Sequence, residues 1–248
     1  MSAPFLVAIP TCRERVYPFK STSDSINGAN QNLKWIRQSW LPDAQKAGID
    51  VRFFFGSGGS NGLPDEVELD APDDYEGLFF KTQKMIQWAL DHGYKHIVKI
   101  DDDVCLFADK FLAWWKPHQY AARTTCSDEH GTWGSGYCLC MDERSMQLIA
   151  SDQTPEPERR HFMRCGVPED REIARILGTH GIACTNVDEQ IFRISLANYA
   201  HSWGFEYCVL IHVIPTQKWL FNMAFPKYAW EGVVVPRHIL SNNWGHKR

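Results

Sequence analysis

Lys95-His96-Ile97-Val98-Lys99-Ile100-Asp101-Asp102-Asp103 is the stretch on which the reading of this chain turns. Residues 95–100 (KHIVKI) read as a strand, short and rich in β-branched residues, and they run directly into three carboxylates. Carboxylates this close repel one another unless water or a cation screens them. A hard divalent cation with oxygen ligands removes that cost. Strand alternation would send Asp101 and Asp103 to one face and Asp102 to the other. In open α/β sheets, ligands bind beyond the carboxyl ends of the strands, so the placement suits a metal that bridges diphosphate oxygens. The same triplet also reads as an exposed acidic turn without a ligand, and an Asp-x-Asp pair also occurs in metal hydrolases and calcium loops.

Outward from this stretch, strand and helix patterns alternate. Residues 81–92 predict an amphipathic helix with Met85, Trp88 and Ala89 on one side and Gly93 as its C-terminal cap. Residues 64–80 carry seven acids and read as a solvated loop. Residues 51–55 (VRFFF) predict a strand followed by the flexible turn GSGGSNG. Residues 32–41 predict a helix stopped by Pro42, residues 11–31 a polar loop, and residues 5–10 (FLVAIP) a buried first strand. Downstream, the patterns predict a helix over 108–117, a strand over 136–141 and a short helix over 142–150. A proline-broken loop over 151–167 follows, then a helix over 169–178 that begins after Pro168 and is capped by Gly178, and a strand over 207–214. Such alternation predicts an α/β fold, a Rossmann-type mixed sheet flanked by helices.

The 248 residues, 44% hydrophobic and 13% aromatic, can bury one sizeable core at a prior of roughly 150 residues per domain. They are expected to form a single domain, with residues 1–105 as a nucleotide-binding half and 106–248 as an acceptor-binding half. A net charge of −4 with no basic block argues against extended nucleic-acid binding. Phe5–Ile9 is far shorter than the ~20 residues of a membrane span, and no basic leader or small-residue cleavage site surrounds it. A soluble, cytoplasmic protein is therefore expected. The eight cysteines form no CxxC pair and read as free thiols. Oligomeric state is not legible.

Several blocks, taken in order, resemble the β-1,3-galactosyltransferase-like family, glycosyltransferase family 31, which includes the β-1,3-N-acetylglucosaminyltransferases and is related to fringe. These are Asn32–Trp40 (NLKWIRQSW), Phe53–Gly56 (FFFG), Asp73-Asp74-Tyr75 through Lys81-Thr82, Lys99–Val104 (KIDDDV), Gly134-Ser135-Gly136-Tyr137, Glu169-Asp170 with Ile173, Leu177 and Gly178, and Val209–His212 with Pro215. They span about 32–225. The chain departs from the family pattern at Leu33-Lys34, where paired arginines are common. It departs again at Arg171-Glu172, in place of an apolar-aromatic pair, and at Ala174, in place of a glycine.

The resemblance implies a GT-A-like fold, a UDP-sugar donor, Mn2+ (or Mg2+), a glycan or glycoconjugate acceptor, and inversion in forming a β-1,3 linkage. It implies metal ligation by Asp103, Asp101 and His212, although a lone histidine on an apolar strand also reads as a core residue. Asp102 is a further contributor to the donor site. Asp170 is the expected base, with Glu169 and the Asp188-Glu189 pair as alternatives; its position in a helix first turn should also favour the ionised form. Thr11, Arg13, Arg15, Arg37 and Lys81 are candidates for the nucleotide and diphosphate, with Arg37 reading as well as a structural ion-pair partner. Trp133, Gly134, Ser135, Gly136, Tyr137 and Glu169 are candidates for the acceptor side, with Trp133 open to a core role. Two other functions fit the triplet: a metal-dependent phosphoesterase or nuclease, and a noncatalytic nucleotide-sugar-binding module.

Overall fold

A computed structural model describes residues 5–15, 28–127, 131–164, 167–187, 192–193, 210–212 and 226–229. The first strand, Leu6–Pro10, is buried along its whole length. It pairs in parallel with Asp50–Phe55 on one side and His96–Ile100 on the other. A central parallel strand is covered on both faces, so both sets of alternating side chains must be apolar. Phe5, Val7 and Ile9 accordingly enter one core layer, and Leu6 and Ala8 enter the other. Helices Gln31–Gln38, Leu41–Lys46 and Ala108–Trp114 supply the first layer. Helices Leu78–Asp91, Glu143–Ala150 and Glu169–Thr179 supply the second.

Seven strands form the main sheet. Beyond Asp50–Phe55 lies Glu66–Glu68, also parallel. Beyond His96–Ile100 lies Cys138–Asp142, antiparallel to it, then Tyr120–Ala122, antiparallel to Cys138–Asp142, and then Thr185–Asn186, parallel to Tyr120–Ala122. Strands from both halves of the chain thus share one mixed sheet, as the α/β reading expected. The chain runs from the first strand to one side and returns to the other, so the strand order reverses between Leu6–Pro10 and His96–Ile100.

Several local expectations change. Pro42 does not end a long helix; it sits in the first turn of a second one, Leu41–Lys46, where its missing N–H costs nothing. Part of the acidic stretch is the edge strand Glu66–Glu68. The proline-broken loop contains helix Glu156–Arg164, because Pro155 and Pro157 fall at its entrance rather than its interior. Arg159 anchors that helix, fully buried over the Phe79 ring at 3.9 Å and paired with Glu172 and Asp152. Gly178 lies inside its helix; the positive φ that ends it belongs to Gly181, at 73°. Gly93, at φ 80°, caps the preceding helix as expected. Among the described cysteines none is in a disulfide, and Cys138 and Cys140 face the same core layer.

Candidate active site

The carboxylate triplet is a turn, not a continued strand. His96–Ile100 ends before Asp101, and the Val104 N–H returns to the Asp101 carbonyl at 3.2 Å. The chain then enters a second sheet through Val104–Leu106, which pairs antiparallel with Leu210–His212. Strand parity still directs the first two carboxylates to opposite faces. Asp102 follows Val98 and Ile100 towards helix Gln31–Gln38. There Oδ2 accepts from Thr11 Oγ1 and Asn30 Nδ2, each at 2.7 Å, and Oδ1 accepts from Asn32 Nδ2 at 3.0 Å. Only 5% of Asp102 is exposed. Three neutral donors thus anchor it, and it joins the first strand to the third at the point where the strand order reverses.

Asp101 follows Ile97 and Lys99 to the other face. Its Oδ1 accepts from the Lys99 ammonium at 2.8 Å, and its N–H donates to the Tyr137 carbonyl at 3.1 Å. Asp103 is half-buried. All three carboxylates border a cavity of ≈ 490 Å³ at the carboxyl ends of strands Leu6–Pro10, Asp50–Phe55 and His96–Ile100, together with Thr11, Arg13 and Lys81. That volume lies within the roughly 300–1,000 Å³ of small-molecule sites, and the location is the one where open α/β sheets bind ligands. On the opposite wall stand Asp73, Tyr75 and Leu78.

The basic candidates are spoken for by protein acids. Arg13 donates to Glu66 at 2.5 Å and to the Gly59 carbonyl at 2.8 Å. Arg37 donates to both Asp65 and Glu66, and the two guanidiniums lie over Phe55 and Phe53. Burial works to raise the Glu66 carboxyl, but Arg37, the Asn61 N–H and Arg13 outweigh it and hold the group at about 2. Arg37 therefore has the structural ion-pair geometry, outside the cavity wall. Lys81 is 3% exposed and bridges the Thr11 carbonyl at 2.8 Å to Asp73 at 2.6 Å, pinning the acidic loop to the first strand. Asp73 also accepts from the Gly56 N–H; a Cβ at Gly56 would lie 2.6 Å from the Ala71 carbonyl oxygen, so this turn requires glycine.

Asp170 lies in the first turn of Glu169–Thr179. Its Oδ2 accepts from the Gly136 N–H and Oδ1 from the Arg171 N–H, each at 2.9 Å. Burial pushes this carboxyl above its ordinary value, against the pull of those two N–H groups and Lys99; Asp101 adds to the rise. The helix terminus does not leave it with a lowered pKa as expected, because desolvation is the larger effect. Neighbouring Glu169 is buried and accepts from Lys99 at 3.1 Å and from Thr82. Of residues 133–137, Gly134, Ser135 and Tyr137 are buried. Gly134 packs under the Tyr120 hydroxyl and Ser135 bonds Thr125. Trp133 is half-buried with the Arg171 guanidinium 5.3 Å over its ring.

His212 stands opposite Val104 in register, one residue beyond Asp103; its imidazole lies outside the described side chains, as does the Arg15 side chain. Asp188-Glu189 also lies outside the described residues. Among the described residues, no three carboxylate, imidazole or thiol groups gather as a preformed metal cage. The sequence reading passed over Lys99, Thr82, Asn30 and Asn32. Only Lys99 left a signal, as a charged residue at an inward position of an apolar strand.

Residues 32–138 match the family model described as Galactosyltransferase. The match covers less than half of the chain, so the similarity to that family is one of this segment. The matched segment holds the triplet, Lys81, the cavity-lining residues from Ser57 onward and the turn to Cys138, whereas Pro10–Glu14 of the cavity lie before it and Asp170 and His212 beyond it. The chain's mixed sheet flanked by helices is the α/β architecture that was expected. No curated protein matched the chain. Among solved structures, it resembles a glycosyltransferase involved in glycosylation of the major capsid of PBCV-1, at 11% identity over 84% of this chain and 93% of that one, with a TM-score of 0.47. It also resembles the galactosyltransferase LgtC crystallised with donor and acceptor sugar analogues, at 10% identity over 94% and 98% of the two chains, with a TM-score of 0.49. Likenesses this distant carry no functional inference. No helix among the described residues is long and apolar enough to cross a membrane.

Proposed function

We propose that this protein is a single-domain glycosyltransferase that moves a hexose, galactose or an N-acetylhexosamine, from a UDP-sugar to a hydroxyl of a glycan or glycoconjugate, with inversion and a β-1,3 linkage. The observation that carries the reading is the cavity at the strand-order reversal, bordered by the triplet and joined through Lys99 and Gly136 to a half-buried carboxylate, Asp170.

The donor set fits a hard cation completed by substrate oxygens. Asp103 and Asp101 would supply carboxylate oxygens, and the pairing of His212 with Val104, the residue after Asp103, supports an imidazole as a third ligand. A cage of all-protein ligands is not needed where diphosphate oxygens complete the coordination. Asp103 is the principal ligand, since Asp101 shares its charge with Lys99. Bound there, Mn2+ or Mg2+ would stabilise charge on the diphosphate.

The protein's own groups do the rest. The cavity walls hold the nucleoside near Thr11 and Tyr75. The Trp133 face and Arg171 border the acceptor side. Asp170 takes the proton from the acceptor hydroxyl as that oxygen bonds to the anomeric carbon. The bond from that carbon to the diphosphate breaks with its electron pair, releasing UDP. A carboxylate whose pKa is raised by burial accepts this proton more readily than an ordinary aspartate. Two backbone N–H groups, one on each oxygen, orient it without neutralising it.

A donor screen tests the proposal: purified protein, Mn2+, a panel of UDP-sugars and a panel of glycan acceptors, read by UDP release and product linkage. Transfer that stops on chelation and restarts with Mn2+ is expected. Cleavage of phosphodiesters without transfer would replace this reading with a phosphoesterase, and donor binding with no turnover would replace it with a binding module.

A further inference from the structure

Lys99 is 1% exposed, in a mostly apolar layer that also buries Thr82, Arg159, Glu169 and Glu172. Its ammonium donates to three oxygens: Asp101 Oδ1 at 2.8 Å, the Gly136 carbonyl at 2.8 Å and Glu169 Oε2 at 3.1 Å. Each acceptor belongs to a different part of the site. Asp101 borders the donor cavity. Gly136 offers its own N–H to Asp170 Oδ2 at 2.9 Å, and a Cβ there would lie 3.2 Å from the Asp170 Cβ. Glu169 directly precedes Asp170, and its second oxygen accepts from Thr82. Thr82 follows Lys81, which ties Thr11 to Asp73 at the cavity.

Stability is a poor reason for this arrangement. Replacing a buried ion cluster by apolar side chains of similar volume is often neutral or stabilising, and a leucine or methionine would suit this layer. What the ammonium adds is geometry, because one rigidly packed group meets the donor-side carboxylate, the backbone that holds the base and the residue beside the base. Resting on the transferase reading above, we infer that Lys99 is a positioning residue: together with Glu169 it sets the placement of the Asp170 carboxylate relative to the sugar donor. A misplacement of about 1 Å at a reacting group costs on the order of 10²-fold in rate.

The test compares the wild-type protein with Lys99→Met/Glu169→Gln and with Lys99→Arg. The double variant removes both buried charges while keeping an acceptor for Thr82, and the carboxylate it leaves without the ammonium, Asp101, has a side chain 37% exposed to water. Melting temperature, donor KM and kcat are measured for each. The double variant is expected to melt within a few degrees of wild type and keep its donor KM within about 3-fold. Its kcat is expected to fall about 10²-fold, and Lys99→Arg, which retains a cation, is expected to recover part of that loss. A double variant that folds and keeps kcat within about 3-fold of wild type would overturn the inference. So would collapse of melting temperature in both variants, which would make Lys99 a stability residue. A wild-type protein inert towards every donor would instead overturn the transferase reading on which this rests.

Discussion

Glu66 and Asp170 are both sequestered carboxylates, one behind the donor cavity and one beyond it, and the protein treats them oppositely. Glu66 receives two guanidiniums and settles at about 2. Asp170 receives two backbone N–H groups, and burial carries its carboxyl upward. The contrast separates two uses of an acid. A carboxylate paired with full positive charges is held ionised and serves as a strut, whereas one held by dipoles in a desolvated place retains affinity for a proton. Asp102 follows neither pattern: three neutral donors on its two oxygens make it a link between Thr11, Asn30 and Asn32. Strand alternation sets it apart from Asp101 and Asp103 in the sequence, but the partners it meets come from the tertiary structure.

The sharpest way to break the contrast is Asp170→Asn, which preserves shape and removes the base. Turnover is expected to fall about 10³-fold while UDP-sugar binding, followed by calorimetry, stays near wild type; loss of binding with retained turnover per bound donor would transfer the base role elsewhere. The pH profile sharpens the same point. Asp170 must be ionised to act, so kcat/KM is expected to decline as pH falls through a value above the ordinary 3.8. A limb at or below that value would contradict the role of burial.

Asp103→Asn is expected to lower turnover about 10²-fold and to raise the Mn2+ concentration needed for half-maximal rate. The same protein stripped with a chelator should lose activity and regain it with metal. Gly136→Ala perturbs the base without touching its charge. The added methyl carbon would sit 3.3 Å from Asp170 Oδ2, and a fall in kcat of about 10-fold with little change in melting temperature is expected. At the other pole, Glu66→Gln should affect stability rather than chemistry. Loss of a buried charge-assisted bond costs about 2 kcal/mol, or a melting temperature lower by about 4–8 °C, with kcat of the folded protein near wild type. The sign with pH follows from a lowered folded pKa. Glu66 contributes fully above its unfolded value of 4.5, and that stability is lost as pH falls towards about 2. Denaturation midpoints at pH 7, 4 and 2.5 would measure it, since the wild-type advantage over Glu66→Gln should shrink along that series.

Much of the fold was legible because its signals are local. The run FLVAI is apolar at every position, as a strand buried on both faces must be. Residues 81–92 carry the 3.6-residue period of a helix packed on one side, although the observed helix begins at Leu78. The errors arose where one local signal has two meanings. Prolines at 155 and 157 look like breakers until their position at a helix entrance is known, and Glu66–Glu68 looks like solvated loop until Asp50–Phe55 is beside it.

By itself, then, the sequence determined that a strand at the centre of an α/β sheet ends in three carboxylates, and that a Glu-Asp pair opens a later helix. Composition and period express such features because they depend on neighbours a few residues away. What each carboxylate is for was decided only by the tertiary structure. Parity turned Asp102 into Thr11, Asn30 and Asn32 and Asp101 towards Lys99, and a contact between residues 34 apart gave Asp170 its Gly136 donor. Proton affinity and charge compensation follow from burial and through-space partners, and those partners come together only when the sheet closes.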